Sequence, residues 1–222
     1  MSHAAKHRLY EQFARVGKAL ASPSRLELLD LLGQGERSVE MLARACELSV
    51  ANASQHLQAL YAARLVESRR VGQRVLYRLA DASVAALWQA LRTTAQKQLA
   101  EVDAVARDYL EGRDEFEPIG RTELVRRMKA GSVTLIDVRP AEEYEQAHLP
   151  GAVSVPLEEV KEFARTAPRK KQVVAYCRGP YCVFALQAVA ELTKRGLNAT
   201  RFEDGVQEWS AAGLPLESGA AS

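Results

Sequence analysis

The sequence predicts two domains of different fold classes, a mainly helical domain followed by an α/β domain. Helical periodicity through residues 1–110, interrupted by one alternating stretch at 65–79, indicates the first domain. Short apolar strands that alternate with helices over residues 119–222 indicate the second, as in parallel sheets with helices on both faces. Between them, residues 111–118 lose the periodicity, become charged and end in Pro118, so we expect a linker there.

Composition places the chain among ordinary globular proteins. Its 222 residues are 47% hydrophobic and 26% charged, which suffices for two domains with buried cores. No apolar run approaches the roughly 18 residues of a membrane span, and the N-terminus "MSHAAKHRLYEQF" lacks the apolar core of an export signal. We therefore expect a cytoplasmic protein with no membrane partner.

The net charge of +2 is unevenly distributed along the chain. Residues 1–80 carry 12 Lys and Arg against 7 Asp and Glu, a charge of +5, which leaves −3 for residues 81–222. Several of the basic residues crowd into "SRRVGQRVLYRL". A charge of +5 alone does not identify a nucleic-acid partner, so the prediction of DNA binding depends on the order of the motifs.

Four helices open the first domain, each with apolar residues at helical spacing. Ser22 before Pro23 is a favoured helix start, and Ser38 can cap the third helix. The predicted helices cover residues 6–20, 23–33, 39–46 and 50–65. Only a three-residue turn separates the last two, so they form a helix-turn-helix.

A two-stranded wing follows, because strand-like residues 65–69 and 75–79 flank a basic, glycine-containing tip at 70–74. With the helices, the segments "LASPSRLELLDLL" and "LSVANASQHLQALYAARLVESRRVGQRVLYRL" resemble the ArsR-type winged-helix repressors over about the first 100 residues. The resemblance implies a homodimer on an imperfect palindromic operator. The second motif helix would enter the major groove of operator DNA, and the wing would touch the backbone or the minor groove.

Matching positions imply the DNA-contacting residues. They are Asn52, Ser54, Gln55 and His56 on the second motif helix, and Arg69, Arg70 and Arg74 on the wing. Asn and Gln can read adenine and Arg can bind phosphate, so the residue types suit DNA. The alternative is that Gln55 and His56 are surface residues of a helix that packs against protein.

A long helix over residues 81–110 is predicted to close the first domain. One small domain cannot bury so long an apolar stripe, which favours pairing with a second subunit. The stripe consists of Val84, Leu87, Leu91, Leu99 and Val102.

Many relatives of the first domain sense metals, but the positions that would hold their thiolate ligands, near Ser38 and Glu40, carry no cysteine here. The helix at 81–110 has no histidine, and His3 and His7 lack a third ligand. We expect no metal and no other cofactor. Cys46 lies on an apolar helix face and is expected to be buried.

Two of the three cysteines stand at the ends of one loop, in "VVAYCRGPYCVF". Cys177 ends a predicted strand at 172–177, the edge at which open α/β sheets hold ligands. Loop N–H groups and the following helix favour its thiolate, which makes Cys177 a candidate nucleophile. Gly179 permits unusual backbone turns, and Pro180 stiffens the loop.

The second domain resembles the single-domain rhodaneses, which are sulfurtransferases, over about residues 119–217. The matching segments are "LIDVRPAEEYEQAHLPGAVSVP", "VVAYCRGPYC" and "FEDGVQEWSAAGLP". The resemblance implies that Cys177 takes a sulfane sulfur from a donor, holds it as a persulfide and passes it to a thiol acceptor. Arg178 and Tyr181 face either substrate or solvent. Four other motif positions, Asp137, Arg139, His148 and Trp209, are read as mainly structural.

Cys182 departs from a loop with one cysteine, and two interpretations stay open. It could attack a persulfide on Cys177, which would leave a disulfide and release sulfide, or it could fill the first turn of the helix. Related phosphatases and arsenate reductases use a Cys-x5-Arg loop, but the matching position here is Val183, which disfavours oxyanion chemistry.

These observations predict a repressor fused to a rhodanese-like domain, for which three functions are open. The chain could be a sulfur- or redox-responsive repressor, or a sulfurtransferase whose DNA-binding domain has no sensing role. It could also be a repressor that responds to a metal or an oxyanion, with an inert rhodanese fold.

Overall fold

The computed structural model describes residues 3–110 and 117–220. The chain divides into two compact units, Met1–Arg92 and Thr93–Ser222. Most of the predicted linker at 111–118 lies outside the described residues, so the predicted domain boundaries stay a prediction. None of the helices in the described ranges is both long and apolar enough to span a bilayer.

The first unit is a winged helix-turn-helix, as predicted. Its elements are α1 (His3–Leu20), α2 (Pro23–Gly33), β1 (Arg37–Ser38), α3 (Val39–Ala45), α4 (Val50–Ala62), β2 (Val66–Val71), β3 (Arg74–Leu79) and the start of α5 (Ala82–Gln98). Leucines from α2, α3 and α4 meet in its core, where Leu28, Leu42 and Leu57 are completely buried. This packing holds α3 and α4 against each other as the two motif helices.

Side-chain caps define both helices of the motif. The Ser38 hydroxyl accepts a hydrogen bond of 3.3 Å from the Met41 amide, and the Ser49 hydroxyl accepts one of 3.2 Å from the Asn52 amide. Ser22 occupies the N-cap position of α2 with Pro23 behind it, but its hydroxyl makes no capping bond. The start of α2 is therefore set by the proline.

The wing differs in detail from its prediction. Strands β2 and β3 pair antiparallel from Val66↔Leu79 to Val71↔Arg74, so only Gly72 and Gln73 remain at the tip. Gly72 has φ +61°, a left-handed conformation that favours glycine. The two-residue strand β1 pairs with β3 and makes the sheet three-stranded. It escaped prediction because two residues carry no alternation.

The prediction of a single helix over residues 81–110 is wrong. Two helices, α5 and α6 (Ala100–Leu110), meet at Leu99. Neither proline nor glycine lies there, and nothing in the sequence explains the break.

The second unit contains a four-stranded parallel sheet, which confirms the predicted fold class. Its elements after α6 are α7 (Arg121–Lys129), β4 (Val133–Asp137), α8 (Ala141–Gln146), β5 (Val153–Ser154), a 3-10 turn (Leu157–Glu159), α9 (Val160–Thr166), β6 (Gln172–Cys177), α10 (Val183–Lys194), β7 (Ala199–Gly205) and α11 (Val206–Ala211). The strand order is β5-β4-β6-β7. Strand β6 is thus internal.

Alternate residues of β6 face two separate cores. Val173, Ala175 and Cys177 pack with residues of α9 and α10, whereas Val174 and Tyr176 pack with residues of α7, α8 and α11. Both faces of the sheet are covered, which explains why β6 is apolar throughout. Cys177 is the last residue of this buried strand.

Candidate functional sites

The cysteine loop joins the carboxyl end of β6 to the start of α10. Cys177 is 2% exposed, and its backbone pairs with Gly205 of β7. Cys177 and Cys182 are joined by a disulfide, with their Cα atoms 6.1 Å apart. The two cysteines therefore lie close enough for direct exchange between thiol and disulfide states.

The loop is compact because it contains a turn and packs against a glycine. The Cys182 amide donates a hydrogen bond of 3.1 Å to the Gly179 carbonyl, which closes the turn around Pro180. A Cβ atom at Gly205 would lie 2.4 Å from the carbonyl carbon of Arg178. Only a glycine at the end of β7 lets the loop backbone come so near.

Arg178 is fixed by a buried carboxylate. Its Nη2 donates a 2.6 Å hydrogen bond to Glu143 Oε1, and its Nε lies 3.1 Å and 3.2 Å from the two carboxylate oxygens. The Arg178 side chain is 20% exposed and that of Glu143 is 1% exposed. The guanidinium also lies 5.4 Å from the centre of the Phe184 ring, a cation–π distance.

A second buried ion pair continues this network beneath the loop. Arg139 donates hydrogen bonds to both carboxylate oxygens of Asp137 and to the Ala147 carbonyl. Its Nη1 lies 3.9 Å from Glu143 Oε2. Burial, foremost, and the charge of Asp137 raise the pKa of Tyr176 well above its usual value, so its hydroxyl stays neutral beside the network.

The remaining loop and motif residues have structural contacts. Tyr181 is half-buried, and its hydroxyl accepts a 2.6 Å hydrogen bond from the Gln96 amide of the same unit. His148 stacks on Tyr144 at 3.7 Å between ring centres, and its Nδ1 lies 2.7 Å from the Tyr144 carbonyl. The Trp209 indole donates to the Pro215 carbonyl.

The predicted DNA-contacting residues of α4 divide by exposure. Asn52 and Gln55 are exposed, while Ser54 and His56 are half-buried. Near the C-terminal end of the helix, Gln58 donates a 3.2 Å hydrogen bond to the Tyr77 hydroxyl of β3. This bond ties the motif helix to the wing.

The wing arginines are exposed, but they are not equivalent. Arg69 forms a forked ion pair with Glu36, and this hydrogen-bonded pairing, foremost, lowers the pKa of Glu36. Arg70 Nε donates to the Gly72 carbonyl at 3.1 Å. Arg74 and Arg70 present charge at the tip, whereas the charge of Arg69 is already matched.

Comparison with known proteins finds a matching domain family in each unit. The Rhodanese-like domain family matches residues 121–212, and a helix-turn-helix domain family matches residues 20–69. The HTH-type transcriptional regulator Rv0324 of Mycobacterium tuberculosis is 47% identical over 215 residues, which cover 97% of this chain and 94% of that protein. The chain belongs to the ArsR-type transcriptional regulators with a C-terminal rhodanese-like domain.

Some other relatives match less than half of this chain. The transcriptional repressor SmtB homolog of Synechocystis is 43% identical over 79 residues, 36% of this chain and 60% of that protein. An NMR structure of the homodimeric winged helix-turn-helix DNA-binding domain of Mb0332 from Mycobacterium bovis is 46% identical. The match covers 46% of this chain and 93% of that chain, with a TM-score of 0.43.

Two residues of the regulator's loop environment were missed by sequence reasoning. Glu143 reads as one of several acidic residues in "PAEEYEQ", and Gly205 reads as a turn glycine in "FEDGVQEW". Their roles come from contacts with Arg178, which is 35 residues from Glu143 in the chain. Their only sequence signal was their place inside the rhodanese-like segments.

Proposed function

We propose that this regulator is a cytoplasmic repressor whose affinity for operator DNA depends on the sulfur state of Cys177. The observation that carries the proposal is the pairing of Cys177 with Cys182 across one short loop. In a reducing compartment such a pair is a redox element rather than a structural brace. The family, which unites a DNA-binding fold with a rhodanese-like fold, supports coupling of the two.

The reaction at Cys177 starts from the reduced loop. The Cys177 thiolate attacks the outer sulfur of a donor hydropersulfide, so that a bond from Cys177 Sγ to that sulfur forms and the S–S bond of the donor breaks. The electron pair leaves on the donor thiolate, and Cys177 is left as a persulfide. The N-terminal end of the 12-residue helix α10 supports the attacking thiolate.

Cys182 supplies the second step. Its thiolate attacks Cys177 Sγ, the disulfide forms, and the outer sulfur leaves as HS⁻ with the electron pair of the broken S–S bond. A dithiol reductant returns both cysteines to thiols. Persulfide and disulfide are thus two successive oxidised states of one loop.

DNA binding by the first unit is supported by its exposed groups. Asn52 and Gln55 on α4 and Arg70 and Arg74 on the wing offer base-reading and phosphate-binding side chains in the order that the ArsR type requires. Helices α1 and α5 leave large apolar side chains at least a third exposed, which supports a homodimer on a palindromic operator. They are Leu9, Tyr10, Phe13, Leu87 and Leu91.

The test uses a duplex selected from a random pool by the reduced full-length protein. Its Kd is measured for the reduced, hydropersulfide-treated and disulfide states, with intact mass to identify each state. We expect at least a tenfold loss of affinity in one of the two oxidised states, which corresponds to about 1.4 kcal/mol of coupling.

Two cysteine variants identify the signal. Cys177→Ser should gain no sulfur and should bind the duplex equally with and without the donor. Cys182→Ser should hold the persulfide without resolving it, so a response that survives in this variant assigns the signal to the persulfide. Sulfur gain with unchanged DNA affinity would contradict sensing and leave a sulfurtransferase without DNA coupling.

A further inference from the structure

The cysteine loop contains one charged side chain, and its charge is already matched. Among the residues between Cys177 and Cys182 only Arg178 is ionic. Its guanidinium lies within hydrogen-bond distance of both oxygens of Glu143, with a shortest contact of 2.6 Å. The loop therefore offers an incoming anion no uncompensated cation.

Glu143 cannot easily release Arg178. Its side chain is 1% exposed, and its carboxylate lies between Arg178 and Arg139, which itself pairs with Asp137. These two carboxylates and two guanidiniums form a cluster with no net formal charge. If Arg178 turned toward Cys177, a buried carboxylate would lose its main partner, which is unfavourable.

The charge of the donor then decides how readily Cys177 is loaded. With thiosulfate, the Cys177 thiolate attacks the outer sulfur, a bond from Cys177 Sγ to that sulfur forms, and the S–S bond of thiosulfate breaks with its electron pair on sulfite. Total charge is conserved at −3, but a monoanion has to meet a dianion. A hydropersulfide of a small thiol brings at most one charge on its reacting sulfurs.

We propose that Glu143 is a specificity-determining residue that restricts sulfur loading at Cys177 to hydropersulfide donors and disfavours thiosulfate. The inference rests on the proposed sulfur-carrying function of Cys177. It assigns to Glu143 an electrostatic role, the cancellation of the Arg178 charge, beyond its contribution to folding. Residues 81–222 carry a net charge of −3, which adds no attraction for a dianion.

The reduced full-length protein tests the proposal with two probes, thiosulfate and cysteine hydropersulfide. The rate of sulfur gain at Cys177 is followed by intact mass under a single-turnover excess of donor. We expect the hydropersulfide rate constant to exceed that for thiosulfate by about a hundredfold, and the slow thiosulfate rate to rise with added salt as like-charge repulsion is screened.

Three variants isolate the charge of Glu143. Glu143→Gln keeps the shape but leaves Arg178 uncompensated, so the thiosulfate rate should rise about tenfold or more while the hydropersulfide rate stays within about threefold. In the double variant Glu143→Gln/Arg178→Gln, the thiosulfate rate should return to that of the wild type. Glu142→Gln is the matched control, because Glu142 is exposed on the same helix, and it should change neither rate.

Each outcome is decisive. Equal loading of the wild type by both donors would overturn the donor restriction while leaving the sulfur-carrying function intact. Loading by neither donor would overturn that function itself. If Glu143→Gln folds but is loaded by thiosulfate no faster than the wild type, Glu143 does not determine donor specificity. If this variant does not fold, the donor ratio and salt dependence of the wild type still test the donor restriction, since a thiosulfate rate that falls with salt would contradict it.

Discussion

Gly205 lies so close to Arg178 that a Cβ atom there would come within 2.4 Å of the Arg178 carbonyl carbon and oxygen and 2.6 Å of the Gly179 nitrogen. These atoms belong to the backbone, so they cannot move aside as a flexible side chain could. The end of β7 thus fixes the position of the cysteine loop.

Gly205→Ala should therefore displace the loop. We expect a loss of about 1–3 kcal/mol in the free energy of unfolding, as for other overpacked sites, and slower sulfur gain at Cys177. Urea denaturation and intact mass measure the two effects. Gly17→Ala is the control, because nothing lies within 4 Å of its added Cβ atom. Unchanged loading in Gly205→Ala would show that the loop tolerates movement.

The wing arginines should differ in their effect on DNA binding. Arg70→Ala and Arg74→Ala should each weaken binding to all sequences and reduce the slope of log K against log salt by about 1. Arg69→Ala should have a smaller effect, because Arg69 is paired with Glu36. Salt titrations of the selected duplex measure the slopes. An equal effect of all three substitutions would mean that DNA displaces Glu36.

Asn52 and Gln55 should carry sequence preference. Because both are exposed on α4, Asn52→Ala or Gln55→Ala should cost about 1–3 kcal/mol on the selected duplex and much less on a random one. Competition binding with both duplexes separates the loss of sequence-specific affinity from the loss of general DNA affinity. Lys171→Ala, an exposed basic residue of the second unit, should leave both affinities unchanged. A uniform loss on both duplexes would reassign Asn52 and Gln55 to phosphate contacts.

The buried pair of Arg139 and Asp137 should dominate the stability of the second unit. Arg139→Ala leaves the completely buried Asp137 without its partner, so we expect a loss of about 3–5 kcal/mol in the free energy of unfolding. Arg126→Ala removes an exposed pair with Glu123 and should cost about 0–1 kcal/mol. Urea denaturation compares the variants, and similar losses would contradict a special role for burial.

Local signals in the sequence were enough to predict the winged helix and the position of Cys177. The cap at Ser38, the three-residue turn and the alternating wing act over a few residues, and the apolar strand β6 needs only its own composition to be recognised as buried. Each of these features is decided by neighbours along the chain.

The contacts around the loop could not be predicted in the same way. Glu143 reaches Arg178 across two strand crossovers, and Gly205 reaches it through the pairing of β6 with β7. Such contacts depend on strand order and register, which no local pattern encodes. The break at Leu99 also lies outside what periodicity predicts, because the apolar spacing continues across it.

The disulfide between Cys177 and Cys182 closes a very small ring, since the two residues are five apart in the chain. The chain entropy that such a crosslink removes from the unfolded state corresponds to roughly 2 kcal/mol, against nearly 5 kcal/mol for a ring of about 100 residues. Opening or closing it therefore changes the chain entropy of the unfolded state far less than a long-range crosslink would. We therefore expect the chain to stay folded when the bond is made or broken.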